Sequence, residues 1–283
     1  MKNTLKVLLA SLLLATSAAA SAASRGEVLV LLSSETTLPL KAGKTMTSGY
    51  YLNELGVPAA ALLDAGYDLT LVTPKGNRPQ ADKSSIDPQY FGGSQQEMGR
   101  IASVVDGLLA PGKVLSLKEV LQSGPERYAG LFIPGGHAPL IDLATDPEVG
   151  TLLRHFHDRQ KPTAAICHGP IALLAAQADP AGFEQSVIAG KADGAREWIY
   201  DGYKMTIFSD EEEAVFEGSL KGDKLRYYPA QAMARAGGKM QFVAPWQPSV
   251  VIDRELITGQ NPFSDHALAS AFIAALDKQQ GAR

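Results

Sequence analysis

The chain has 283 residues, 45% of them hydrophobic and 20% charged, which are the proportions of an ordinary globular protein. That length accommodates one large α/β domain or two small ones, each with a real core. A formal net charge of −4 and the lack of any Lys/Arg block exclude the basic face that a nucleic-acid binder presents.

Read in chain order, the first residues look like an export leader. Lys2 and Lys6 supply positive charge, and Val7 to Leu14 form a short apolar run. Small residues then follow to Ala23, with A-x-A matches such as Ala20-Ser21-Ala22. The Leu-rich run is shorter than the ~20 apolar residues of a membrane span. The expectation is a leader over residues 1–23, cut near Ala22 or Ala23, and a periplasmic or secreted mature chain with no membrane segment. Residues 24–283 are expected to form one domain. No internal repeat, Pro-rich linker or coiled-coil heptad divides them.

Glu27 to Leu32 (EVLVLL) reads as a buried strand. Tyr50 to Ala65 reads as a helix ending at Gly66, and Asp68 to Val72 as a strand. The Pro-, Gly- and Ser-rich text from Gly76 to Gly112 predicts a surface excursion with short helical pieces. Tyr128 to Ile133 is a strand running into Pro134-Gly135-Gly136-His137. Pro147 to Asp158 is a helix, Pro162 to Ile166 a strand and Gly169 to Gln177 a helix. Lys204 to Phe208, Leu225 to Ala236 and Met240 to Val243 continue the alternation. Val250 to Thr258 predicts a hairpin turning at Asp253-Arg254. Ser264 to Leu276 is a closing helix with Ser264 as N-cap. Alternation of this kind implies an α/β fold, a mostly parallel sheet sandwiched by helices.

Such sheets place their sites beyond the carboxyl ends of the strands. Two ends stand out, Ile133-Pro134-Gly135-Gly136-His137 and Ala165-Ile166-Cys167-His168-Gly169-Pro170. Cys167 is the single cysteine, so an internal disulfide is excluded. The ordinary fate of such a residue is a small buried hydrophobe. Here, however, it sits on a sharp turn between a strand and a helix, a position that holds a nucleophile proud of the sheet. Gly169 permits close approach, and Pro170 suits a first helical turn. The free N–H groups and positive end of the helix lower a thiol pKa and can stabilise an oxyanion. Gly135 and Gly136 could add donors. His137 could border the pocket, or simply occupy a turn.

AAICHGP, FIPGGHAPLIDL and the closing ITGQNPFSDHALA together resemble the ThiJ/PfpI superfamily, within the class I glutamine amidotransferase-like (flavodoxin-like) fold. The likeness runs over roughly Glu27 to Leu276. The closing segment resembles the glyoxalase III and heat-shock-chaperone-like branch. The resemblance implies Cys167 as nucleophile and His168 as its histidine. It also implies Glu213, from Phe208-Ser209-Asp210-Glu211-Glu212-Glu213, as the acid orienting His168. The acidic run leaves that last assignment open by a position or two, because acids also favour a helix start for the dipole alone. Glu54 matches the glutamate that sits beside the nucleophile and exchanges protons with it. The implied activity is cofactor-free conversion of methylglyoxal or a similar small carbonyl substrate to a hydroxy acid, or deglycation by the same hemithioacetal chemistry. A cysteine-dependent amide or nitrile hydrolase, or a peptidase-like enzyme, stays open, as do a holdase chaperone and a homodimer.

Other chemistries lack their residues. The only late histidine, His266, is followed by Ala267-Leu268, so the His-x-Glu of glutamine amidotransferases is missing. His155 and His157 are two apart on a helix, not on one face, and Gly76 to Gly130 contains no histidine, so no metal site is expected. Gly135-Gly136 comes without a phosphate-cradle pattern. Trp198 and Trp246 could line a pocket, but are expected to be buried core aromatics.

Overall fold

The computed structural model describes residues 24–191 and 194–281; the expected leader over residues 1–23 lies outside the described residues. The strands begin with β1 (Glu27–Leu31), β2 (Thr37–Pro39), β3 (Thr45–Thr47), β4 (Asp68–Thr73), β5 (Val114–Ser116) and β6 (Tyr128–Ile133). They continue with β7 (Thr163–Ile166), β8 (Lys204–Met205), β9 (Lys239–Met240), β10 (Val250–Asp253) and β11 (Leu256–Gly259). The α-helices are α1 (Leu52–Asp64), α2 (Gln95–Leu108), α3 (Leu117–Ser123) and α4 (Pro147–Asp158), then α5 (Pro180–Ile188), α6 (Asp210–Glu217), α7 (Pro229–Ala236) and α8 (Asp265–Gly281).

Seven strands form one sheet in the order β10-β11-β7-β6-β1-β4-β5. All neighbours are parallel except the edge pair β10 and β11. The apolar run of β1 is continuous because both of its faces are covered. Val28 and Val30 pack with Leu55 of α1, Ile101 of α2 and Phe272 of α8. Leu29 and Leu31 pack on the other face with Val120 of α3, Leu152 of α4 and Met233 of α7. Each fully buried Val or Leu contributes about 1.5–3 kcal/mol. The expected helical sandwich is therefore present. No helix among the described residues is long and apolar enough to cross a membrane.

Six local expectations need correction. The segment from Gly76 to Gly112 is not a loose excursion. It carries the 14-residue α2, whose Ile101 and Val105 are buried against α1. Packing is so close that a Cβ on Gly56 would lie 2.3 Å from Ile101 Cγ2. Lys204 to Phe208 does not join the main sheet as one strand of the alternation. β11 occupies the seat beside β7, so only Lys204 and Met205 pair, with β9, in a separate two-stranded sheet. The stretch after Cys167 is a 3₁₀ helix over Gly169–Ala176. Its Ala175 carbonyl is pressed close to Gly150 of α4. The hairpin turns at Arg254-Glu255, one residue later than expected. Ser264 ends a 3₁₀ turn capped by Asn261 instead of capping α8 itself, since Asn261 Oδ1 accepts from Phe263 N. Of the two tryptophans, Trp198 is buried, but Trp246 is 36% exposed.

Candidate active site

The β7 strand is built from small residues, Thr163-Ala-Ala-Ile166, all buried. It delivers Cys167 to the carboxyl edge of the sheet with φ +58°. Such a backbone costs a non-glycine residue about 1–3 kcal/mol unless its surroundings hold it. Two hydrogen bonds do so. Cys167 N donates to Gly259 O at 2.9 Å, and Phe208 N donates to Cys167 O at 3.0 Å. His168 and Glu213 line up behind the thiol. Cys167 Sγ lies 3.2 Å from His168 Nδ1, and His168 Nε2 lies 2.7 Å from Glu213 Oε1.

Glu213 is thus the member of the acidic run that reaches His168. Its neighbour Glu212 turns the other way. It closes a capping box with Ser209 at the start of α6, and its other oxygen accepts from Trp246 N and Asn261 Nδ2, both at 2.8 Å. The signal was legible as Ser-x-x-Glu. Helical spacing then aims the following residue at the histidines.

Burial alone would raise the Glu213 carboxyl, but His168 and His137 outweigh it and hold it at about 2. His168 is pushed down to about 4 by burial and by neighbouring His137. At neutral pH the pair is therefore carboxylate and neutral imidazole. Glu213 accepts the Nε2–H, so Nδ1 is left unprotonated and faces the thiol.

On the other side of Cys167 stands Glu54, fully buried. Burial pushes its carboxyl up to about 8, so it carries a proton at pH 7. Cys167 and the Gly135 and Gly136 backbone N–H groups face it, but neither oxygen closes a hydrogen bond of ordinary geometry. Burial likewise raises the Cys167 thiol. The Gly135-Gly136 turn fits here only as glycine. A Cβ on Gly135 would lie 2.4 Å from Glu54 Oε2 and 2.7 Å from Cys167 Cβ. Gly136 has φ +80°. Gly169 opens the 3₁₀ helix behind the nucleophile.

Several positioning contacts had no sequence signal. α1 lacks a side-chain cap of its own; Leu52 N donates instead to Ser85 Oγ at 3.0 Å. Asn53 Nδ2 binds Pro262 O and Asp265 Oδ2. These ties fix the first turn of α1, and with it Glu54. His137 does not border an open pocket. It is buried and turned inward, with Nε2 3.2 Å from Glu213 Oε2. Its ring stacks on Phe216 at 3.9 Å. Where no metal set was expected, His137, His168 and Glu213 bring ligand atoms within 4.8 Å of one another, a donor set able to hold a divalent cation. Here Glu213 gives one oxygen to each ring, an arrangement that holds protons. His155 and His157 are half-buried on α4.

Cavity size does not mark this site. A cavity of about 580 Å³ lies elsewhere, between α8 and the β10–β11 edge, whereas Cys167 is only 2% exposed.

Fold and site together place a strained cysteine on a strand-to-helix turn at the edge of a mostly parallel α/β sheet. The profile of the DJ-1/PfpI family matches residues 45–181, so that stretch of the chain, which holds the Gly135-Gly136 turn and Cys167, is similar to members of that family. The chain is 25% identical over 252 residues to the protein/nucleic acid deglycase HchA of Staphylococcus aureus strain MSSA476, covering 87% of this chain and 78% of that protein. The 24 kDa Rapid Encystment Protein of Francisella tularensis superposes with TM-score 0.71 at 21% identity, over 89% of this chain and 99% of that one. Glyoxalase III of Candida albicans superposes with TM-score 0.66 at 22% identity, over 89% and 97% of the two chains. These two superpositions establish the shared fold.

Proposed function

We propose that the protein is a glyoxalase III-like enzyme. It converts methylglyoxal or a related 2-oxoaldehyde to the 2-hydroxy acid without a cofactor, through a hemithioacetal on Cys167. One observation carries this reading: a protonated, buried Glu54 stands across the thiol from the Cys167–His168–Glu213 relay. Hydrolysis needs only a nucleophile, its base and oxyanion donors. Isomerising an oxoaldehyde also needs an acid/base that can serve two adjacent carbons.

The thiol proton passes to His168 Nδ1 as sulfur bonds to the aldehyde carbon, and the aldehyde oxygen takes the proton of Glu54. The Glu54 carboxylate then removes hydrogen from that carbon while the His168 imidazolium protonates the neighbouring carbonyl oxygen, giving an enediol. Glu54 returns the proton to the second carbon, and the hydroxyl on the first loses its own to Glu54, leaving a thioester. Water cleaves the C–S bond, and its proton restores the thiol. The sum is oxoaldehyde plus water giving hydroxy acid. The name of the Staphylococcus aureus relative is in keeping with this, because an early glycation adduct can be resolved through the same hemithioacetal. With a leader over residues 1–23, the reaction would take place outside the cytoplasm.

The test is D-lactate formation from methylglyoxal in the absence of glutathione. Cys167→Ala is expected to abolish it, and Glu54→Gln to lower kcat by about 10²–10⁴-fold. Equal activity in wild type and both variants would overturn the reading.

A further inference from the structure

We propose that His137 is a positioning residue, which donates its Nε2–H to Glu213 Oε2 and so holds the carboxylate where His168 presents an unprotonated Nδ1 to Cys167. The inference rests on Cys167 and His168 acting as described above, and adds a fourth side chain to their relay. Glu213 is buried on every side, and its two oxygens are divided between two rings, Oε1 to His168 and Oε2 to His137. The rings lie 3.9 Å apart, centroid to centroid. Phe216 covers the far face of His137 and Phe208 packs on His168 at 4.7 Å, so the pair has no room to swing away. His137 comes from the Pro-Gly-Gly-His turn, and Glu213 from α6. One hydrogen bond thus ties the strand end that carries the Gly135 and Gly136 donors to the acid of the relay.

The physical consequence is directional. A buried carboxylate with two N–H donors shares its charge between them. Without His137, Oε2 has no donor and the charge falls on His168 alone, making its imidazolium easier to form. A neighbouring ring able to carry positive charge is removed at the same time. Other ionisable groups facing the relay are Cys167 itself, Glu54 beyond it, Tyr51 and Tyr90 near those two, and Glu212 on α6. Glu212 is already occupied by Ser209, Trp246 and Asn261.

The experiment compares His137→Phe, which keeps the stack and loses the donor, with His137→Gln, which keeps an N–H donor. Two readouts are followed against pH: kcat and KM for methylglyoxal, and the rate of Cys167 alkylation by iodoacetamide. Alkylation reports deprotonation of the thiol whatever the substrate, so failure of the proposed reaction and failure of this inference are distinguishable. In His137→Phe, kcat is expected to fall about 10–100-fold with KM nearly unchanged. The acid limb of both profiles should move up by about one pH unit. His137→Gln should stay within about 3-fold of wild type with the limb in place. An unmoved limb in His137→Phe, or equal losses in both variants, would overturn the proposal. Should His137→Phe fail to fold, His137→Asn, whose shorter amide falls away from Oε2, reads the same quantity.

Discussion

The position of Cys167 is set by backbone geometry before any side-chain contact. Its φ of +58° stays populated because Gly259 and Phe208 take both of its peptide groups. Gly135 then brings the N–H groups of the neighbouring strand end against Glu54 and the thiol. Adding one methyl group tests this closeness, since at 2.4 Å from Glu54 Oε2 it must displace the carboxyl or the turn. Gly135→Ala is expected to cost about 1–3 kcal/mol of stability and at least ~100-fold in kcat. Urea denaturation and the D-lactate assay measure the two losses. Retention of full activity would show that the turn does not set the position of Glu54.

At the scale of elements, α6 links chemistry to architecture. Ser209 and Glu212 cap it reciprocally, and Glu212 also anchors Trp246 and Asn261, which lie on either side of the β10–β11 hairpin. One residue along, Glu213 supports the histidines. The two substitutions Ser209→Ala and Glu212→Ala should therefore differ. The first loses a cap, worth about 1 kcal/mol. The second leaves several buried donors unpaired and is expected to cost about 3 kcal/mol or more. The ordering is read from chemical-denaturation midpoints, with reversal as the contrary result. The 3₁₀ segment at Ser85 serves α1 in a similar way, by accepting from Leu52 N.

At the scale of the whole molecule, the buried acids and histidine set how stability depends on pH. Glu54 is raised from 4.5 to about 8, so the folded state holds a proton that the unfolded state releases. Its contribution is full below pH 4.5 and is lost as pH rises to about 8. His168, lowered from 6.5 to about 4, works in the opposite sense. Stability is lost as pH falls from 6.5 to about 4, because the unfolded imidazole protonates first. Glu213, lowered from 4.5 to about 2, adds a further loss below pH 4.5. Thermal unfolding should show Tm falling from pH 6.5 toward 8.5 in wild type. Glu54→Gln should flatten that alkaline fall and leave the acid side intact. An unchanged alkaline fall in Glu54→Gln would show that Glu54 is not the titrating group.

Cys167 was visible in the amino-acid sequence as an elbow, because a strand of small residues followed at once by Gly-Pro admits few other conformations. Strand and helix alternation carried the sandwich for the same reason, period and punctuation being local properties. The tertiary structure alone decided matters of contact. It chose Glu213 over its acidic neighbours, since the direction of each side chain on α6 depends on where the cap begins. It seated β11 beside β7 and excluded Lys204 to Phe208, because two apolar segments competed for one edge. It also turned His137 inward and set Ser85 under α1, where partners 76 positions apart in one case and 33 in the other meet only after folding.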